Sequence, residues 1–146
     1  MTGRTGLRAR LHGRLGAFEL DAALDLPPDG ITALVGPSGS GKTTLLRCIA
    51  GMTRLEGEVG LDGLIWQNER QFLPTHRRGV GFVFQDAALL NHLTARGNLL
   101  YAQRRAGDGP AGIGWDEVIA LLGLEPLLAR SVAHLSGGER QRVALA

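Results

Sequence analysis

The octapeptide Gly36-Pro37-Ser38-Gly39-Ser40-Gly41-Lys42-Thr43 fits the spacing G-x-x-x-x-G-K-[ST], the pattern of a loop that cradles phosphate groups. Its glycines let the backbone curl until successive N–H groups converge on phosphate oxygens, at the positive end of the helix that follows. Lys42 can then reach the β- and γ-phosphates of a nucleotide, and Thr43 can present its hydroxyl to Mg²⁺. Thr44, next in the chain, completes the set expected at the nucleotide. Lys42 is the only lysine among 16 basic residues. A chain that otherwise uses arginine for positive charge breaks the habit where chemistry calls for a compact ammonium on a flexible stem.

Such a loop needs a strand before it and a helix after it. Ile31-Thr32-Ala33-Leu34-Val35 is apolar almost without a break and reads as a buried strand, entered from the turn Pro27-Pro28-Asp29-Gly30. From Lys42 the apolar residues Leu45, Leu46, Ile49 and Ala50 recur at helical spacing, and Gly51 is placed to end the helix. Upstream, Leu7, Ala9 and Leu11 alternate with arginines, and Phe18, Leu20, Ala22, Leu24 and Leu26 alternate with mostly polar neighbours. Period two predicts half-exposed antiparallel strands. Glu58 to Trp66 reads as a short strand pair, Pro74 to Arg78 as a polar connector, and Val80 to Phe84 as a second buried strand.

Beyond Gln85 the strand signals stop. Thr94 to Arg105, Asp116 to Leu122 and Pro126 to Ala133 predict short helices, with a loop over Gly107 to Gly114. Ser136, with Glu139 three residues later, has the spacing of a capping box that opens a last helix. Gly137 and Gly138 then fall in that helix's first turn, where each costs about 1 kcal/mol relative to alanine unless another group must approach the backbone closely. A phosphate is such a group.

Leu135-Ser136-Gly137-Gly138-Glu139-Arg140-Gln141-Arg142 resembles the signature motif of the ABC ATPases, and Gln85, after Val83-Phe84, falls where that family's Q-loop glutamine belongs. With the phosphate loop, three motifs stand in the family's order and cover nearly the whole chain. The resemblance implies an α/β fold: a P-loop NTPase core whose mixed sheet has antiparallel N-terminal strands, plus a helical subdomain. On that basis 1–86 is the core with its β subdomain, 87–135 the helical subdomain and 136–146 the start of the signature helix. It also implies ATP and Mg²⁺ as cofactors, with Lys42 and Gln85 in catalysis, Thr43 and Gln85 at the metal, and Ser136, Gly137 and Gly138 contacting the γ-phosphate held by the other subunit of a homodimer. The family stacks adenine on an upstream aromatic residue. The only aromatic upstream here is Phe18, on the apolar face of its strand, where core packing is the expected role.

Phe72 to Gln85, Gly30 to Gly36, and Leu93-Thr94 with Asn98-Leu99 are similar to the ATP-binding subunits of molybdate importers. The implied system is a motor on the cytoplasmic face of the cell membrane, driving uptake of an oxyanion such as molybdate through a permease that meets Asp86 to Thr94. The family's remaining catalytic groups, an acidic Mg²⁺ ligand, a water-polarising glutamate and a sensing histidine, lie beyond the signature. The apolar helix that stops at Ala146 therefore reads as truncated, with C-terminal core strands missing and the faces of 31–35 and 80–84 partly uncovered. The four histidines, His12, His76, His92 and His134, precede the place of the sensing one and are expected at the surface.

Composition narrows the alternatives. The chain has 146 residues, 44% of them hydrophobic and 21% charged, which suits one globular domain. A net charge of +2 with scattered basic residues argues against nucleic acid as a partner. A DNA-repair or chromosome ATPase would carry coiled-coil or zinc insertions. Between Thr43 and Ser136 there are no sustained heptads and no cysteine after Cys48, itself expected as a buried structural thiol. A fragment that binds nucleotide without turnover is the remaining alternative.

Overall fold

The computed structural model describes residues 4–106 and 114–146, which fall into two compact units, Met1–Gly81 and Phe82–Ala146. The expected loop over 107–113 lies outside the described residues.

In the first unit the alternating segments form β1, Leu7–Leu15, and β2, Phe18–Leu26, paired antiparallel from Leu7 opposite Leu26 to Leu15 opposite Phe18. β3, Glu56–Leu61, adds to the other edge of β1, and β4, Leu64–Gln67, pairs with β3, so the strand order is β2-β1-β3-β4. Period two places Ala9, Leu11, Leu20 and Val59 on one face, where they bury against Leu45 and Cys48 of the helix α1, Lys42–Ile49, with Leu55 and Trp66. The outer face carries polar cross-strand pairs: Arg8 with Asp25 at 3.3 Å, Arg14 with Glu19 at 3.5 Å, and the His12 imidazole with Glu56 at 3.3 Å. Cys48 is fully buried, and burial pushes its thiol pKa up, as a packing residue requires.

Four expectations fail here. Neither 31–35 nor 80–84 forms a strand, and Ile31 is fully exposed, with Val35 at 88%. A buried strand exists only as a paired strand. Among the described residues no neighbour pairs with either segment, so both stay irregular and their apolar side chains face out. Leu46 also points outward, because the buried stripe of α1 is the narrower one of Leu45 and Cys48. The connector 74–78 is a single 3-10 turn, Thr75–Arg77, and Arg78 after it is a core residue, 3% exposed.

The second unit is helical. α2, Ala95–Ala106, and α3, Trp115–Leu122, appear within a residue of their expected bounds, and α4, Gly137–Leu145, follows Ser136. The helix expected over 126–133 is instead two 3-10 turns, Glu125–Leu127 and Val132–His134. Pro126 near its start and the return of the chain to meet Thr94 across a bridge to Ser131 leave no length for α-helical turns. Ala95, Leu99, Ile119, Leu124, Leu127, Val132, Leu135 and Val143 form this unit's core. Among the described residues no helix is long and apolar enough to cross a membrane.

Candidate nucleotide site

The phosphate loop is built to leave donors free. Gly41 precedes α1 at φ 84°, in the left-handed region, and no side chain caps the helix start. Orphan N–H groups at that end therefore have no side-chain partner and carry the helix's partial positive charge. Gly39, at φ 81°, makes the other reversal, and Ser40 N donates to Pro37 O at 3.3 Å. A side chain at 41 is excluded twice: by the backbone angle, and because a Cβ there would lie 2.4 Å from the Phe18 ring. That ring packs on the first core, so Phe18 has the core role expected of it and also sets the floor under Gly41.

Lys42 folds back over the loop. Its Nζ donates to Gly36 O and Pro37 O, each at 2.8 Å, and to Ser40 Oγ at 3.3 Å. All three acceptors are at the surface, so an incoming phosphate can take over the ammonium without uncovering a buried group. Gly36, Pro37, Ser38 and Ser40 are exposed, as is Thr43, and Thr44 is half-buried.

At its far end α1 is held by Arg78. The guanidinium donates to the last carbonyls of the helix, Cys48 O at 3.1 Å and Ile49 O at 2.6 Å, and to Leu73 O at 2.8 Å. It lies over the rings of Phe72, at 5.0 Å, and Trp66, at 5.6 Å. A cation there complements the negative end of the helix dipole, although burial lowers its pKa. Gly51 makes room for it: a Cβ at 51 would sit 2.6 Å from Arg78 Nε. Sequence reasoning missed Arg78. The available signal was an arginine just downstream of two closely spaced aromatic residues.

The second unit holds Gln85 and the signature residues. Gln85 is exposed. Ser136 and Glu139 form the expected capping box: Ser136 Oγ accepts from Glu139 N at 3.3 Å, and Glu139 Oε2 accepts from Ser136 N at 2.7 Å. Arg130 clamps this start with bonds to Glu139 Oε1 at 3.2 Å and His134 O at 2.9 Å. The Ser136 N–H bond, then the Ser136 hydroxyl and the nearby arginines, hold the Glu139 carboxyl below its usual range. A Cβ at Gly137 or Gly138 would meet nothing within 4 Å. Among the described residues, nothing in the packing calls for those two glycines.

The ABC transporter family model matches residues 20–146. The chain belongs to that family. It is 58% identical over 140 residues to the molybdenum import ATP-binding protein ModC of Rhodobacter capsulatus, covering 95% of this chain and 38% of that protein. The ModC of Thiobacillus denitrificans is 54% identical over 145 residues, 99% of this chain and 40% of its own length. This chain thus spans about two-fifths of these relatives. Among solved structures, the dimeric, post-hydrolysis ATP-binding cassette MJ0796 bound to ADP and Pi superposes with a TM-score of 0.74 at 26% identity, over 95% of this chain and 67% of that one. The α/β cassette fold expected from the motifs is the fold observed, except that every strand pairing among the described residues is antiparallel where a mixed sheet was expected.

Proposed function

We propose that this chain is the nucleotide-binding part of an importer's ATPase subunit. It takes Mg·ATP on the loop from Gly36 to Thr43 with Thr44 and acts as one half of a homodimer on the cytoplasmic face of the cell membrane. The observation that carries this reading is a glycine-built loop with an uncapped helix start and an exposed ammonium already lying across it. These groups fit a polyphosphate: N–H donors for its oxygens, Lys42 for the β- and γ-phosphates, and the Thr43 hydroxyl for Mg²⁺. The ion supplies neutralisation of the charge that develops on the transferred phosphoryl group. Ser136, Gly137 and Gly138 serve the nucleotide of the partner subunit, which accounts for glycines that packing among the described residues leaves unexplained.

The cargo reading is an oxyanion, molybdate by likeness to the ModC proteins, passed by a membrane permease that meets the segment 86–94. The division into 1–86, 87–135 and 136–146 follows from the same reading. Titration calorimetry with ATP, with and without Mg²⁺, tests the site: saturable binding tightened by the ion is expected, and absence of heat sinks the proposal. Phosphate release by the 146 residues alone is expected to be negligible, because water activation is assigned to acidic groups beyond the signature. Release comparable to that of a full-length relative such as the ModC of Rhodobacter capsulatus defeats that assignment. Molybdate uptake by a protein of the relatives' full length with its permease tests the cargo.

A further inference from the structure

Gln85 sits in a tight turn with an unusual backbone. Ala87 N donates to Phe84 O at 3.2 Å, closing the turn, and Ala87 has φ 42°, in the left-handed region although it carries a Cβ and is 4% exposed. A non-glycine residue there stores strain and persists only where its surroundings hold it. The side chain that supplies the hold comes from α4. The amide of Gln141 donates to the carbonyl of Gln85 and lies 3.5 Å from that of Phe84. α4 in turn is fixed at its start by the capping box and by Arg140 Nη1 on Leu135 O at 2.5 Å.

We propose that Gln141 is a positioning residue: its amide ties the strained Gln85 turn to the signature helix, so that a displacement of Ser136–Gly138 is carried to Gln85. The functional half of this inference rests on the nucleotide reading above. The tether itself does not. One NH2 group with two protons suits two successive carbonyls, and few side chains replace it. Glutamate has the shape but no proton to donate, asparagine is one methylene shorter, and lysine keeps donors at comparable reach. The strain at Ala87 makes the turn a two-state element. Held, it presents Gln85 in one orientation; released, it relaxes to ordinary backbone angles.

Hydrogen exchange read by mass spectrometry on the nucleotide-free 146-residue chain tests the tether. Gln141→Glu is expected to speed exchange of the Ala87 amide, which donates to Phe84 O, about tenfold, with α4 and the first unit unchanged within about twofold. Gln141→Lys should recover most of the protection, and Ala87→Gly, which removes the strain, should recover part of it in the Gln141→Glu background. Unchanged exchange at Ala87 overturns the proposal. So does faster exchange throughout the second unit, which makes Gln141 a folding residue. In a protein of the relatives' full length that carries these residues, Gln141→Glu should lower kcat about tenfold and leave the Kd for ATP within about twofold. An unaltered kcat with a released turn overturns the coupling. Failure of the nucleotide reading shows separately, as loss of ATP binding by the unsubstituted protein while the exchange result stands.

Discussion

The chain opens two helices on glycine-rich sequence and satisfies them in opposite ways. α1 starts from Gly41 in the left-handed region, with no side-chain cap and with Lys42 resting on loop carbonyls. α4 starts from Ser136 in extended backbone, with a capping box complete in both directions. The first start is unfinished without a ligand, and the second is finished on its own. The glycines differ accordingly. Gly41 is required by the fold, through its φ and the Phe18 ring, whereas Gly137 and Gly138 face open space.

Alanine at each position gives the sharpest break between them. Gly41→Ala combines a left-handed φ with a clash against Phe18, and is expected to destabilise the first unit by about 2–4 kcal/mol. Gly137→Ala meets no atom and raises helix propensity, so it should stabilise α4 by up to about 1 kcal/mol while impairing any function that needs close approach. Urea unfolding followed separately for the two units measures both. If Gly137→Ala costs as much as Gly41→Ala, the glycines of α4 are structural and the contrast collapses.

Lys42→Ala comes next in size and tests the unfinished start directly. Its contacts in the free chain are with exposed acceptors, so stability should hardly change. ATP affinity should fall roughly tenfold to a hundredfold, from loss of charge-assisted bonds worth about 1.5–3 kcal/mol each. Calorimetry that finds equal affinity removes Lys42 from the site.

These positions were legible in the sequence because each motif is local: a spacing of glycines, a lysine, a serine three residues before a glutamate. The β1–β2 hairpin was legible for the same reason, since alternation along one strand is enough to fix its buried face. Segments 31–35 and 80–84 carry the composition of buried strands, but composition cannot provide the neighbour that a strand pairs with. Arg78 shows the opposite failure. In the run Arg77-Arg78 both residues look solvated, and only the three-dimensional meeting of Phe72, Trp66 and the end of α1 decides that Arg78 turns inward. Gln141 was visible within the signature, while its partner, the Gln85 carbonyl, lies 56 residues away.

Ser136 separates capping from trans recognition. Ser136→Ala removes the acceptor for Glu139 N and should cost the second unit about 1 kcal/mol. Ser136→Arg in a protein of the relatives' full length should leave ATP binding by each monomer nearly intact and abolish ATP-dependent dimerisation and turnover. Sedimentation with and without ATP reads the dimer, and equal loss of binding and dimerisation marks Ser136 as a folding residue only.

The smallest expected effect concerns the charge that completes α4. Hydrogen bonds from Ser136, with Arg130 and Arg142 nearby, lower the Glu139 pKa in the folded chain. A depressed carboxyl favours folding while it is ionised. Its contribution is therefore fully present above the unfolded glutamate value, near about 4.3, and is lost as pH falls through the lower folded value. Asp62 in the first unit is depressed in the same sense, chiefly by the Gly6 N–H, so the pH profile of the whole chain mixes the two. Comparison with Glu139→Gln isolates one of them, because glutamine can still accept from Ser136 N but carries no charge. The difference in urea midpoint of the second unit between the unsubstituted chain and Glu139→Gln should be positive and flat at neutral pH. It should then shrink as the solution is acidified below the unfolded value. A difference that persists unchanged at the acid end would assign the stabilisation to hydrogen-bond geometry, and α4 would then owe its finished start to shape and not to charge.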